Sequence, residues 1–490
     1  MKIAMVASEI QPLAKTGGLA DVAGALIKAL SKLGNKVVGF MPYYKPVLDK
    51  KNLNIKKTKF EFEVFVGNQA KRCEVFKTKL PKCKKGDIYL IYNEEYFNRE
   101  GLYMKEGSDY PDNDERFIFF SRAVLELIKQ MGEYFDIIHT NDWQTALIPA
   151  YLKSHLYNNE EVFKNTKIVF TIHNLAYQGL FPADTIIKTG LGWDYFNSGS
   201  LEFWGHVNFI KGGIVYADVI TTVSPTYAKE IQTPEFGHGL DGLLSYRSAN
   251  IVGILNGIDT DVWSPKVDDF IFEKYSVKTL NKKVNNKVGL QKQLGLEVNE
   301  NIPLLGIISR ITDQKGLDLI IGLKEFFLNN DLQLVVLGTG DPYFENQLKE
   351  MAIQAPNKIS VNIMFSEELA HKIEAGSDIF LMPSKFEPCG LNQMYSLMYG
   401  TIPIVRNTGG LADTIVDTTF ETIITREATG FKFYEYSVES FKEAVSRALF
   451  VYNNNKEIWR QIQITGMEQD FSWEKSAKEY LNLYESLLKQ

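Results

Sequence analysis

The hexapeptide Thr-Gly-Gly-Leu-Ala-Asp occurs twice in this chain, at Thr16–Asp21 and at Thr408–Asp413. Each copy follows an apolar run that is typical of a strand, at Ile3–Ala7 and Ile402–Val405, and precedes a helical pattern. Two glycines at a turn from strand to helix leave backbone N–H groups at a helix N-terminus, where a phosphate binds readily. A purely structural pair of tight turns is the alternative. The identical setting favours two sheet domains that face one cleft and hold a phosphorylated ligand.

The residues after the first copy predict a helix. Its apolar positions recur every three or four residues, at Leu19, Val22, Leu26, Ala29 and Leu33. Gly34 stands where a helix commonly ends. Lys15, directly before the hexapeptide, adds a positive charge to the predicted anion site.

Length and composition limit the classes of protein to which this chain can belong. A chain of 490 residues is too long for one core and predicts two domains. The net charge of −6 argues against a nucleic-acid binder, and the basic run Lys71–Lys85 is better explained by a solvated surface hairpin. No stretch approaches the ~18 apolar residues of a membrane span. Three cysteines without metal-binding spacing fit a reducing compartment, so a soluble cytoplasmic protein is expected, or a stromal one if the source has plastids.

Strand-like runs alternate with helical patterns almost throughout, which predicts an α/β fold with two doubly wound parallel sheets. The predicted strands are Ile3–Ala7, Lys36–Met41, Ile88–Tyr92, Ile137–His139, Lys167–His173, Val219–Val223, Leu304–Ser309, Gln333–Gly338, Asp378–Pro383 and Ile402–Val405. The most irregular stretch is Ile251–Asn301, which predicts a boundary between domains at 1–250 and 251–471.

The C-terminal segment 472–490 predicts a helix with one apolar face. Ser472 can cap it, and its face is formed by Trp473, Ala477, Tyr480, Tyr484 and Leu487. Such a face must pack against another element. It packs either on the second domain or on the first.

Polar side chains follow several predicted strands, and ligands of open α/β sheets bind at the carboxyl ends of strands. Asp142 and His173 follow two strands of the first half, whereas Arg310, Lys315 and Glu387 follow two strands of the second. Together with Lys15, the two cations of the second half could hold a diphosphate without a metal. A single histidine at a strand end is more often structural than catalytic.

Metal-dependent alternatives rest on weak patterns. Asp-x-Asp occurs at Asp112–Asp114 and Asp259–Asp261, in both cases without a preceding strand that brings more carboxylates. Gly338–Asp341 resembles part of a dinucleotide fingerprint but lacks its third glycine. We therefore expect no metal and no cofactor.

The order of motifs resembles the bacterial glycogen synthase and plant starch synthase family, glycosyltransferase family 5 of GT-B fold, over essentially the whole chain. The motifs are Lys15–Val22, His139–Trp143, Asn256–Asp259, Ser309–Gly316, Pro383–Gly390 and Thr408–Asp413. The resemblance implies two Rossmann-like domains facing a central cleft, with the C-terminal helix returning to the first. It also implies transfer of glucose from ADP-glucose to the non-reducing end of an α-1,4-glucan, with retention and without metal.

The resemblance also assigns roles to single residues. It implies that Glu387 is the essential carboxylate beside the donor glucose. It also implies that the diphosphate and its developing charge are contacted by Lys15, Gly18, Arg310 and Lys315. It further implies that His173 and Asn256 hold sugar hydroxyls, that Asp142 orients the reacting groups, and that Thr408, Gly409, Gly410, Cys389, Gly390 and Leu391 line the donor site. Tyr96 matches a position in the acceptor groove, in an aromatic segment that could bind glucan rings, whereas core packing better explains Phe117–Phe120.

Two positions depart from related GT-B enzymes. Tyr395 replaces a second glutamate that holds the ribose in many of them, which favours the glycogen synthase branch, and Asn392 stands where threonine is common. The partners implied are ADP-glucose and a glucan, with no nucleic acid or membrane, for a monomer or small homo-oligomer. Two alternatives stay open: a GT-B transferase that uses UDP-glucose or a small acceptor, and an inactive glucan-binding relative.

Overall fold

The computed structural model describes residues 1–83 and 85–489. Lys84 of the basic run and Gln490 of the C-terminal segment lie outside the described residues. The chain divides into two compact units. The first comprises Met1–Val223, Ala228–Gly257 and residues 473–489, and the second comprises Ser224–Tyr227 and Ile258–Ser472.

The first unit is built on a large sheet with helices between its strands. Its strands are β1 (Lys2–Val6), β2 (Lys36–Pro42), β3 (Lys56–Val66), β4 (Gln69–Lys79), β5 (Asp87–Tyr92), β6 (Met104–Lys105), β7 (Ser108–Asp109), β8 (Ile137–Asn141), β9 (Lys167–Ile172), β10 (Leu180–Pro182), β11 (Glu202–Phe203), β12 (His206–Asn208), β13 (Val219–Thr222) and β14 (Ile251–Gly253). The helices are α1 (Gly18–Lys32), α2 (Lys45–Leu48), α3 (Glu94–Phe97), α4 (Asn113–Met131), α5 (Leu147–Lys153), α6 (Thr185–Thr189), α7 (Phe209–Tyr216), α8 (Pro225–Glu230), which begins in the short segment assigned to the second unit, and α9 (Asp241–Tyr246).

In the described part of the chain, the large sheet has the order β14-β13-β9-β8-β1-β2-β5-β4-β3. The strands from β14 to β5 are parallel, and β3 and β4 extend the sheet as an antiparallel hairpin. Strands β1, β8 and β9 are almost wholly buried, as expected of parallel strands covered by helices on both faces. The chain leaves β1 toward β2 on one side and returns to β8 on the other, so the switch point of the sheet lies between β1 and β8.

The second unit is a smaller doubly wound domain. Its strands are β15 (Leu304–Ile308), β16 (Gln333–Gly338), β17 (Ile359–Ile363), β18 (Ile379–Met382), β19 (Ile402–Arg406) and β20 (Phe431–Phe433). Its helices are α10 (Lys283–Leu294), α11 (Leu317–Gly322), α12 (Lys324–Asn329), α13 (Pro342–Gln354), α14 (Glu367–Gly376), α15 (Asn392–Met398), α16 (Gly409–Thr414), α17 (Phe420–Ile424), α18 (Val438–Asn454) and α19 (Lys456–Met467).

The sheet of the second unit is parallel, with the order β17-β16-β15-β18-β19-β20 among the described residues. Its core joins strand side chains such as Leu305 and Ile404 to Phe441 and Trp459 of the covering helices. The strand order reverses between β15 and β18. The loops after these two strands therefore meet at the position where such sheets bind ligands.

The last helix, α20 (Trp473–Leu488), belongs to the first unit. The predicted apolar face is confirmed, because Trp473, Tyr480 and Tyr484 are buried together with Ala477 and Leu487. The helix packs beside α1. Its Tyr484 hydroxyl lies 2.6 Å from Nδ1 of His139 in the middle of β8.

All ten predicted strands are present, with ends shifted by at most two residues. Strand β3 is one of those not predicted from the sequence, because its alternating Lys, Glu and Phe residues give a weak apolar signal. The lysines of the basic run that fall in β4 lie in a hairpin, and two of them pair with carboxylates, Lys71 with Glu95 and Lys77 with Asp87. The expected surface hairpin is thus confirmed for the described part of that run. Within the described residues, no helix has both the length and the apolar character of a membrane span.

Candidate active site

The first hexapeptide forms the turn between β1 and α1. Gly17 is the N-cap of α1, with φ of −147°, and the helix begins at Gly18. A Cβ atom added at either glycine would meet nothing within 4 Å. The fold of the unit itself therefore does not require glycine at these two positions, which is the pattern expected where a ligand approaches the backbone.

The second hexapeptide uses its glycines differently. A Cβ atom at Gly409, where φ is +46°, would lie 1.9 Å from the carbonyl oxygen of Glu387, and one at Gly410 would lie 2.0 Å from that of Cys389. The Gly410 N–H donates to the carbonyl oxygens of Glu387 and Pro388 at 3.1 and 3.2 Å. Glycine is required here because the turn packs directly on the backbone that carries Glu387.

Two backbone N–H groups of the first turn already donate hydrogen bonds within the protein. This corrects the expectation that all N–H groups of the turn are available to a phosphate. The N–H groups of Thr16 and Gly17 donate to the carboxylate of Glu9. The N–H groups of Gly18, Leu19 and Ala20 belong to the first turn of α1, where an α-helix supplies no carbonyl partner. Lys15 is exposed and donates to Asp21 at 2.8 Å, a surface ion pair that stabilises little and can exchange for another anion.

Asp142 and His173 are brought together at the ends of β8 and β9. The Asp142 carboxylate accepts the backbone N–H of His173 at 2.8 Å, and the backbone of Asp142 has φ of +55°, a left-handed conformation that is costly for a non-glycine residue. Burial raises the pKa of Asp142 to about 7, with a further increase from the charge of Glu9. Burial lowers the pKa of His173 to about 3, so its imidazole is neutral.

The tautomer of His173 follows from its neighbour. Nε2 of His173 lies 2.9 Å from Oδ1 of Asn141, whose amide nitrogen donates to the carbonyl oxygen of Val6. The Asn141 oxygen is therefore the acceptor, and His173 carries its proton on Nε2. Asn141 thus connects the end of β1 to His173.

The raised pKa of Asp142 predicts pH-dependent stability. Its folded pKa of about 7 lies above the unfolded value of about 3.9. Between these values the folded protein holds a proton that the unfolded chain has lost, so the stability contributed by the protonated carboxyl is lost as pH rises through 7. We expect Asp142→Asn to raise the melting temperature over the wild type more at pH 8 than at pH 5. Thermal unfolding at both values measures this, and an equal difference at both pH values would contradict it.

Asn256 is buried in the first unit, with 7% of its surface exposed. Within the described residues its side-chain oxygen has no hydrogen-bond partner. Leaving such an acceptor unpaired costs about 1–3 kcal/mol. A ligand hydroxyl would satisfy it, in keeping with the role that the family resemblance implies.

The second unit places Lys315 and Glu387 in direct contact. Nζ of Lys315, in the loop after β15, lies 2.5 Å from Oε2 of Glu387, in the loop after β18. The Ser384 hydroxyl donates to the same oxygen at 3.0 Å. Gly316, with φ of +72°, allows the two loops to meet, because a Cβ there would lie 2.0 Å from the carbonyl oxygen of Pro383. A buried carboxylate beside a cation is thus held at the switch point of this sheet.

Other predicted residues lie in loops and at helix ends of the same unit. Arg310 is exposed at the end of β15, and within the described residues its guanidinium has no ion-pair partner. Cys389 is buried and Gly390 adopts φ of +71° directly before Leu391, the N-cap of α15. Thr408 is the buried N-cap of α16.

Two further side chains have structural contacts. Asn392 donates to the carbonyl oxygen of Ile308 at 2.6 Å and so joins α15 to the end of β15. The Tyr395 ring stacks on Trp263, with centroids 4.0 Å apart and planes 10° apart. Trp263 stacks on its other face against His371 at 3.8 Å. That Tyr395 is one of the substrate-binding residues, at the position of the glutamate of related enzymes, stays a prediction.

Tyr96 requires a correction. Its side chain is completely buried, tilted against Phe119, and its hydroxyl donates to Glu115 at 3.1 Å. The ring has no face for a sugar in this structure. The expectation that it lines an acceptor groove as an accessible ring is wrong, because α3 turns Tyr96 into the core between α4 and the sheet.

The first Asp-x-Asp pair is engaged by other side chains. Asp112 receives both terminal nitrogens of Arg99, and Asp114 receives Lys188 and Thr185. Among residues 1–83 and 85–489, no three His, Cys, Asp or Glu side chains are grouped as metal ligands would be. Independence from metal stays a prediction.

Glu9 and Ser384 were not predicted from the sequence, although their side chains support predicted site residues. Both lie within or beside motifs that were singled out, Glu9 three residues after β1 and Ser384 in Pro383–Gly390. A carboxylate directly after a buried strand is the signal that could have found Glu9.

Comparisons with known proteins agree with this geometry. The family described as starch synthase catalytic domain matches residues 2–246, and the glycosyl transferases group 1 family matches residues 291–461. The chain is 47% identical to a glycogen synthase of Thermosipho melanesiensis over 484 residues, covering 99% of this chain and 98% of that one. It is 46% identical to a glycogen synthase of Thermotoga maritima over 493 residues, covering 100% and 99%. The chain belongs to the glycogen synthase and starch synthase family.

Solved structures support the same assignment. The catalytic domain of starch synthase IV from Arabidopsis thaliana, bound to ADP and acarbose, matches with a TM-score of 0.90 and 34% identity, covering 100% of this chain and 99% of that one. A sucrose-phosphate synthase from Thermosynechococcus elongatus matches with a TM-score of 0.62 at 17% identity, covering 100% and 99%, which is a likeness of fold alone. The expected GT-B fold of two Rossmann-like domains is confirmed.

Proposed function

We propose that the chain is a retaining glucosyltransferase that transfers glucose from ADP-glucose to the non-reducing end of an α-1,4-glucan. The buried Lys315–Glu387 pair, packed on the glycines of the second hexapeptide, is the observation that carries this proposal. Membership of the glycogen and starch synthase family supports the reaction class. The starch synthase structure with ADP supports the choice of nucleotide.

The leaving group explains why cations are needed. As the glycosidic bond opens, negative charge grows on the β-phosphate of ADP, and preorganised donors that stabilise this charge accelerate the reaction. In the second unit Arg310 and Lys315 supply positive charge, and in the first unit Lys15 and the N-terminus of α1 do so. Each of these groups can act on the diphosphate without a metal, and we propose a metal-independent reaction on that basis.

The contacts of Glu387 favour a supporting role over nucleophilic attack. One of its oxygens already accepts hydrogen bonds from Lys315 and Ser384, which lowers its reactivity toward a sugar carbon. We therefore place transfer on the front face of the glucose. The acceptor hydroxyl attacks C1 as the bond to the phosphate breaks, and its proton passes to the departing phosphate oxygen. Glu387 then orients the glucose and stabilises positive charge on it.

A radiolabel transfer assay tests this function. Purified protein is incubated with glycogen and either ADP-[14C]glucose or UDP-[14C]glucose, and label in precipitated glucan is counted. We expect incorporation from ADP-glucose to exceed that from UDP-glucose and the product to be released by an α-1,4-specific amylase. A preference for UDP-glucose or for a small acceptor would support the alternative transferase. Binding of glycogen without transfer would support an inactive relative. Cytoplasmic location and oligomeric state stay predictions.

The three cations give a sharper prediction. Lys15→Ala, Arg310→Ala and Lys315→Ala should each lower turnover by about 100-fold, the scale of losing one preorganised contact to developing charge. Lys349→Ala, a lysine on the exposed side of α13, is the matched control and should be as active as the wild type. Turnover is measured with and without EDTA. Loss of activity with EDTA and its recovery with a divalent ion would contradict the metal-free reaction.

A further inference from the structure

Glu9 is a buried carboxylate that the reaction above does not use. Only 3% of its surface is exposed, and within the described residues it has no ion-pair partner. Burying a charge without a cation is costly unless hydrogen bonds compensate for lost hydration. A carboxylate that is buried without a cation must therefore be stabilised by hydrogen bonds from its neighbours.

The compensating hydrogen bonds all come from neutral donors. Oε1 of Glu9 accepts the Thr16 hydroxyl at 2.6 Å and the Tyr103 hydroxyl at 2.7 Å. Oε2 accepts the backbone N–H of Thr16 and, at 3.3 Å, that of Gly17. Three of these four bonds go to the turn that carries Lys15 and begins α1. The fourth anchors the carboxylate to Tyr103, which also bonds Ser8 at 2.7 Å.

Hydrogen bonds to Glu9 therefore fix the turn on one side, while its other side is open. Its inner N–H groups are occupied by Glu9, whereas Cβ atoms at Gly17 and Gly18 would meet only open space. A glycine turn without such an anchor would sample many backbone conformations, because glycine adopts them at little cost. Holding a catalytic turn in one geometry before the ligand arrives is what preorganisation requires.

We propose that Glu9 is a positioning residue of the first hexapeptide, which fastens Thr16 and Gly17 so that Lys15 and the N-terminus of α1 are presented to the diphosphate of the donor. The inference rests on the proposed function for the identity of the ligand. The hold on the turn itself does not depend on that function. The raised pKa of Asp142, to which the Glu9 charge contributes, places Glu9 near the other polar residues of this unit.

Matched variants separate the hydrogen bonds from generic packing. Glu9→Met keeps a side chain of similar length but cannot accept hydrogen bonds, and Glu9→Gln keeps an acceptor oxygen for the turn while its amide can donate to the hydroxyls of Thr16 and Tyr103. Tyr103→Phe removes the bond on the far side of the carboxylate, together with the bond between Tyr103 and Ser8, and leaves the three bonds from Glu9 to the turn in place. Hydrogen exchange of the Thr16 and Gly17 amides in the ligand-free protein reports on the turn. ADP calorimetry and steady-state kinetics with ADP-glucose report on the site.

We expect Glu9→Met to speed exchange of both amides, to weaken ADP binding by about tenfold and to lower kcat by at least tenfold. Glu9→Gln and Tyr103→Phe should stay within about threefold of the wild type on every measure. The proposal would be overturned if Glu9→Met showed the same amide exchange, ADP affinity and kcat as the wild type. It would also be overturned if Tyr103→Phe lost as much kcat as Glu9→Met. If Glu9→Met does not fold, Thr16→Val, which removes one bond to Glu9, should show the same changes at a smaller size, and wild-type behaviour there would overturn it. A wild type that does not bind ADP would count against the proposed function, while the exchange experiment would still test the hold of Glu9.

Discussion

Glu387→Gln should lower kcat by about 1,000-fold while the affinity for ADP stays within about threefold of the wild type. The carboxylate of Glu387 lies 2.5 Å from the Lys315 ammonium, and both groups are largely buried. Glutamine keeps the size of the side chain and one acceptor oxygen but removes the charge. If Glu387 stabilises the glucose as it gains positive charge, the loss falls on the transition state and not on the binding of the nucleotide.

Steady-state kinetics with ADP-glucose and calorimetry with ADP measure the two quantities separately. Cys389→Ser is the matched control in the same loop, because Cys389 is buried two residues away and performs no chemical step in the proposed reaction. We expect its kcat to fall by less than tenfold. Unchanged turnover in Glu387→Gln would remove this carboxylate from the mechanism. An equal fall in ADP affinity and kcat would show that the substitution disturbs the Lys315 loop as a whole.

Removing residues 472–490 should abolish activity, although every proposed catalytic residue remains in the chain. The apolar face of α20 buries Trp473, Tyr480, Tyr484 and Leu487 in the first unit. Burial of a large apolar side chain contributes about 1.5–3 kcal/mol, so these four together contribute about 6–12 kcal/mol. A whole protein has a free energy of unfolding of only about 5–15 kcal/mol. The truncated first unit should therefore be unfolded or molten.

Solubility, binding of a hydrophobic dye and turnover test the truncation. Tyr484→Phe is the matched control, since it keeps the packing and removes only the hydrogen bond to His139, at a cost of about 1–3 kcal/mol. This variant should fold, melt at a lower temperature and keep most of its activity. A truncated protein that stays soluble and fully active would show that α20 is dispensable to the first unit.

The placement of the candidate site residues was predictable from sequence where strand ends determine it. Asp142 and His173 directly follow β8 and β9, and Arg310, Lys315 and Glu387 lie in the loops after β15 and β18. The parallel topology places the carboxyl ends of neighbouring strands at the same edge of a sheet. Ten strands and the apolar face of α20 were found because buried parallel strands and amphipathic helices carry strong local patterns. Tyr96 was predicted wrongly because the local sequence does not distinguish an aromatic side chain that faces a groove from one that faces the core.

Sequence alone determined that this protein has two doubly wound α/β units, each with a glycine turn after an apolar strand, because these features depend on residues close together in the chain. Tertiary structure decided what each turn does. In the second copy the glycines allow close packing against the backbone that carries Glu387. In the first copy they face open space, and hydrogen bonds to Glu9 hold the turn. Two identical hexapeptides differ in this way because the atoms that contact a backbone come from other loops. The Lys315–Glu387 contact, between residues 72 positions apart, was decided in the same way.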